Sequence, residues 1–153
     1  MTATTTQSEP MTESAATMLD ALAPRLRKYL QEIARQAAPI TYQDLTKALQ
    51  LPPPRTIHRL TEALERLMAE DAVAGRPFIA ALVISRARGG LPAPGFFDCA
   101  ARLGLSRVDP TGPEARAFHA KEFNAAVTFW GEAAAAADRN VSIVTLTDRS
   151  AKH

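Results

Sequence analysis

Arginines at helical spacing carry the chemistry most open to a specific reading. Arg55, Thr56, His58, Arg59 and Arg66 share the polar face of one segment, opposite Ile57, Leu60, Leu64 and Leu67. A guanidinium presents paired donors that match guanine O6 and N7, and threonine or histidine reaches a base edge or a phosphate. Thr41, Gln43 and Lys47 stand one helix earlier, where such a segment meets the sugar-phosphate backbone. Arg86 and Arg88 directly follow the apolar run Phe78–Ile84, a place from which arginine enters a minor groove or holds phosphate. Together these ten side chains point to double-stranded DNA as the partner.

The remaining reactive residues lack the company that catalysis needs. Cys99 has no histidine at a telling distance in sequence, and its apolar neighbours predict a buried core thiol. His119 and Glu122 fall on adjacent turns with Glu114 nearby, but no further ligand is placed by spacing, so they read as solvated helix-face residues. Gly89-Gly90 lacks the Lys-Ser/Thr of a phosphate loop. The sequence therefore predicts no catalytic residue, no metal, no cofactor and no enzyme.

The elements that position these groups follow from periodicity and punctuation. Residues 1–15 are polar with no apolar period and read as a disordered tail. Leu19, Leu22, Leu26, Leu30, Ile33 and Ala37 form a helical stripe, with Pro24 marking either the true start or a kink. Thr41 is placed as an N-cap with Asp44 in the capping-box position, and a short helix follows that buries Leu45, Ala48 and Leu49. Pro52-Pro53-Pro54 breaks the chain before a helix over 55–69 that buries Ile57, Leu60, Leu64 and Leu67. Phe78–Ile84 reads as a strand. Arg86–Gly95 reads as loop, Phe96–Leu103 as a short helix stopped by Gly104, and 113–137 as a long helix with a wide apolar face. Val141–Leu146 alternates like an edge strand or a sticky tail.

Composition sets the outer bounds. The chain of 153 residues carries a net charge of +2, but residues 21–112 hold 13 Lys or Arg against 8 Asp or Glu. That local excess suits a polyanion; an arginine-rich genome gives the same bias. A single cysteine excludes an internal disulfide. No apolar run is long enough to span a bilayer, and the N-terminus lacks a secretory pattern, so the expectation is a cytoplasmic protein with no membrane partner.

Ile40–Leu103, through Thr41-Tyr42, Leu45, Arg59-Leu60, the apolar strand and Gly90-Leu-Pro-Ala-Pro-Gly-Phe-Phe97, resembles a group of small bacterial winged-helix-like proteins. The Thr-Tyr-x-x-Leu opening is also similar to the winged-helix part of alkyltransferase-like proteins. Their Pro-Cys/Trp-His-Arg motif is absent here, which removes any basis for alkyl transfer. The fold expectation is mainly α with a small β component: a winged helix-turn-helix-like core over 16–137 with a long C-terminal helix, then a tail over 138–153. The functional expectation is a DNA-binding bacterial regulator or accessory factor, with a homodimer through helix 113–137. The alternative is a protein-interaction module on the same scaffold, presenting Leu91, Phe96 and Phe97 of the 89–97 loop to a protein partner.

Overall fold

A computed structural model describes the backbone of residues 3–105 and 107–151, and the side chains of 17–105 and 107–136. The chain is mainly helical: α1 (Ala3–Gln36), α2 (Tyr42–Ala48), α3 (Thr56–Ala74), α4 (Pro94–Arg102) and α5 (Glu114–Ala151). Two short strands, β1 (Ile40–Thr41) and β2 (Val83–Ile84), pair in parallel, Ile40 with Val83 and Thr41 with Ile84. Tight 3-10 turns occupy Ile79–Leu82 and Arg86–Arg88.

The core forms where α1, α3 and α5 close around the Ile79–Leu82 turn. Leu26 and Leu30 of α1, Leu60 and Leu67 of α3, and all of Ile79–Leu82 are sequestered from water. Each such large aliphatic contributes roughly 1.5–3 kcal/mol relative to exposure. This packing explains why Phe78–Ile84 resembles a strand in sequence. A turn enclosed by three helices shows the same unbroken apolar run as a strand covered on both faces. Only Val83–Ile84 is a strand, because the ladder is limited by its partner: Pro39 has no N–H to donate, and Thr41 already caps α2. The amide of Ile79 donates instead to the buried carboxylate of Asp71, at 3.1 Å.

Helix boundaries follow local chemistry. Thr41 Oγ1 accepts the Asp44 N–H at 3.1 Å, as its N-cap spacing predicts. Pro24 lies inside α1 on its exposed side, not at its start. There water can serve the carbonyl that a proline nitrogen leaves unbonded. The backbone of α1 is helical from Ala3, across most of the tail read as disordered; Met1 and Thr2 lie outside the described residues. Extending a formed helix is far easier than nucleating one, which favours growth from the Leu22–Ile33 stripe. At the other end α5 is helical through 141–146, in place of the edge strand or sticky tail expected there. Ala133–Ala137 propagates helix well, and no proline follows Pro113.

Among the described residues no hairpin wing stands beside the sheet. Ser85 and Leu91 form a single antiparallel bridge, with Ser85 N–H donating to Leu91 O at 2.7 Å. Gly89 and Gly90, at φ +66° and +92°, turn the chain back inside that bridge. α4 then begins at Pro94, inside the stretch expected to be loop.

Candidate nucleic-acid interface

Most of the predicted reading residues sit at or on α2 and α3, with Arg86 and Arg88 in the turn after β2. Six buried side chains anchor α3: Leu60, Ala63, Leu64, Leu67, Met68 and Asp71. Its beginning differs. From Arg55 through Arg59 every side chain is exposed or half-exposed, so a whole helical turn stands clear of the core. Ile57, read from its spacing as a core residue, is 43% exposed, because the apolar stripe it belongs to runs one turn past the buried layer. Ala48, likewise expected to be buried, is exposed on α2.

The cations predicted to meet DNA divide into free and engaged. Arg55, Lys47 and Arg86 are exposed and paired with no described side chain. Arg55 adopts a left-handed backbone, φ 61° and ψ 37°, immediately before α3. Gln43 is exposed on α2, whereas half-buried Thr41 is occupied as its cap. Thr56 is half-exposed. His58 Nε2 lies 3.4 Å from Glu62 across one helical turn. Arg59 donates to Pro52 O at 3.3 Å and braces the turn. Arg66 is spent further back: it pairs with Asp20 of α1 and lies 3.6 Å from Glu70.

Arg88 is a correction to its expected role. Its guanidinium donates to Pro92 O and Pro110 O and lies over the Phe97 ring, 5.9 Å from the centroid. It stitches the Arg86–Arg88 turn to the loops on both sides of α4 and has little left for phosphate. Phe96 and Phe97 are also corrected: they are 6% and 2% exposed, so the 89–97 loop does not offer them to a partner. They pack edge to face with each other at 5.4 Å, and Phe96 does the same with Phe78 at 6.0 Å. Leu91 is half-buried. It lines an open cleft of about 570 Å³ with Arg88, Pro110, Pro113 and Arg116.

The residues set aside as chemically inert are placed as follows. Cys99 is buried, and burial, with Glu65 nearby, pushes its thiol above the usual range. His119 is not a solvated helix-face residue: it is 9% exposed, and its Nε2 meets Ala81 O at 2.9 Å. Among the described residues no group of three or more His, Cys, Asp or Glu could hold a metal ion. Likewise no helix is long and apolar enough to cross a membrane.

Sequence reasoning missed a buried charge cluster. Asp71 is wholly enclosed, with Arg27 Nη1 at 2.8 Å and Arg76 Nη2 at 3.1 Å from one carboxylate oxygen. Both guanidinium groups also lie over Trp130, at 4.9 and 5.0 Å from its ring. Its signal was present: Asp71 continues the buried positions 60, 64, 67 and 68 of α3, where a carboxylate needs a partner. The cluster ties the C-terminal end of α3 to Arg27 of α1 and to Trp130 of α5.

The chain matches no protein-family model, no curated protein and no solved structure.

Proposed function

We propose that this protein binds double-stranded DNA through a helix-turn-helix formed by α2 and α3, within a winged-helix-like fold whose wing is reduced to the Ser85–Leu91 loop. One observation carries the reading: Thr56–Arg59, the first turn of α3, has no buried side chain, exposed Arg55 stands immediately before it, and the helix is anchored in the core from Leu60 on. A helix lying flat on a domain buries one side of every turn. A helix that enters a major groove must project its first turn beyond the domain. His58 on that turn and Arg55 just before it supply hydrogen-bonding groups, while Lys47 on α2 and Arg86 after β2 supply phosphate contacts. A regulator or DNA-associated factor is the class of protein this arrangement serves.

Arg55 permits a test that separates binding from folding. Its left-handed backbone suits glycine, so Arg55→Gly removes the cation without straining the turn. Anisotropy with labelled random duplex at about 50 mM salt, where phosphate contacts are strong, should show binding by the wild type. Arg55→Gly combined with Arg86→Ala should lose that binding with the melting temperature unchanged. Absence of salt-dependent duplex binding by the wild type under these conditions overturns the reading. Selected duplexes with two half-sites about one helical turn apart would show two copies bound side by side, the homodimer expected from the long C-terminal helix.

A further inference from the structure

We propose that Ile57 recognises the 5-methyl group of a pyrimidine in the major groove, making the DNA site dependent on a methyl as well as on hydrogen bonds. The inference rests on the duplex-binding reading above and names what its projecting turn selects. Leu60, Leu64 and Leu67 share a stripe with Ile57 and are 0%, 5% and 1% exposed, whereas Ile57 is 43% exposed. Its large branched side chain therefore adds little to the core, and it stands with His58 in the first turn of α3, two residues past Arg55. Val73 and Phe129 are also exposed apolar side chains, but they lie at the far end of α3 and on α5, away from that turn.

The chemistry of the groove narrows the ligand. Of the groups that the four bases present there, the thymine 5-methyl is the apolar one, and 5-methylcytosine presents the same group. Thr61, one turn along from Ile57, is not a competing polar reader. Its hydroxyl donates to the Ile57 carbonyl at 2.9 Å and is satisfied within the helix. An aliphatic side chain exposed at the head of the helix contacts a methyl without leaving a polar base edge unpaired.

The test uses the full chain and duplexes enriched from a random pool. Each thymine in the enriched site is replaced in turn by deoxyuridine, which removes the methyl and leaves every hydrogen-bonding group in place. The wild type should lose about fourfold in affinity at one position, the value of one methyl group taken from water. Ile57→Ala should bind the thymine and deoxyuridine duplexes alike, and Ile57→Val should keep part of the difference. If the sensitive position is a cytosine, its 5-methylated form should bind more tightly than the unmodified one, which identifies the second source of the methyl. Enrichment of a site with no methyl-sensitive position, or with equal sensitivity in Ile57→Ala, overturns the role of Ile57 and leaves duplex binding standing. Failure to enrich any duplex overturns both.

Discussion

The phenolic oxygen of Tyr42 accepts the backbone N–H of Ala93 at 2.9 Å, across 51 positions of sequence. This bond joins the first residue of α2 to the residue that precedes α4. It ties α2 to the Gly90–Ala93 segment that leads into α4. Burial raises the phenol above its ordinary range, with the Ala93 N–H and the Arg88 charge opposing, so it stays neutral. Tyr42→Phe keeps the ring and orphans a partly buried amide. The expected loss is about 1–2 kcal/mol in urea unfolding, with an unchanged m-value. A smaller loss than in Tyr29→Phe, whose phenol hydrogen-bonds to no described residue, would count against the tie.

Arg88 is predicted to be a stability residue. Two carbonyls, of Pro92 and Pro110, accept from one guanidinium that also covers Phe97. Charge-assisted bonds of this kind contribute roughly 1.5–3 kcal/mol each when not fully exposed. Arg88→Ala should lower stability by about 2–4 kcal/mol. Arg88→Lys should fall between, since an ammonium cannot span both acceptors in the fixed fork geometry. Duplex affinity per folded molecule should change little in Arg88→Lys, whereas Arg86→Ala should reduce the salt slope by about one with no change in stability.

The Asp71 cluster should behave as a buried ion pair does when one side is removed. Asp71→Ala leaves Arg27 and Arg76 without their shared carboxylate and Ile79 N–H without an acceptor. The expected cost is about 3–5 kcal/mol. Asp71→Asn retains an oxygen for Ile79 and should cost less. Arg76, 34% exposed at its side chain, retains more water than Arg27 at 15%. Arg27→Met should therefore destabilise more than Arg76→Met, measured by the same unfolding midpoints.

Local chemistry made part of this structure legible in sequence, and the misses share a cause. Thr41 caps α2 and Gly104 follows α4 because capping and left-handed stops are decided within a few residues. Ile57 was misplaced because periodicity shows which face of a helix is apolar, but not where along its length the core ends. Phe96 and Phe97 looked like loop anchors because Pro92 and Pro94 suggested loop. Pro94 instead occupies the first turn of α4, where proline is favoured, and the helix turns both rings inward. Arg88 and His119 bind carbonyls 22 and 38 residues away, and no spacing rule reaches that far. Of the candidate interface, Lys47, Arg55 and Arg86 are left free by the fold, while Arg66 and Arg88 are engaged elsewhere.

Acidification should weaken the fold through His119. Burial lowers its pKa below the ordinary 6.5, with Arg116 adding to the effect and the Ala81 hydrogen bond opposing it. The folded protein therefore takes up the proton less readily than the unfolded chain. The contribution is fully present above about pH 6.5, declines as pH falls through that value, and levels off below the folded pKa. His119→Gln keeps a donor for Ala81 and removes the titration. Urea midpoints at about pH 7.5, 6.5 and 5.5 should fall more for the wild type than for His119→Gln. Equal slopes would show that His119 is not the group responsible.

Gly131 offers a test of how closely α5 lies on α1. Glycine inside a helix ordinarily costs up to about 1 kcal/mol relative to alanine, so Gly131→Ala would stabilise an open surface. Here an added Cβ would stand 3.2 Å from the backbone carbonyl oxygen of Ala34 and 3.5 Å from its carbon. Backbone within α1 cannot yield as a side-chain tip can, and overpacking of this kind costs roughly 1–3 kcal/mol. The close approach should outweigh the propensity gain, giving a net loss of about 1 kcal/mol for Gly131→Ala. A distinctly larger loss is expected for Gly131→Val, whose branched side chain meets the same carbonyl with more bulk. The neighbouring Trp130 donates its ring N–H to Pro77 O at 2.9 Å, so a shift of α5 in Gly131→Val should also alter the tryptophan fluorescence of the folded state. A melting temperature that rises in Gly131→Ala would mean that the two helices stand further apart than this contact requires.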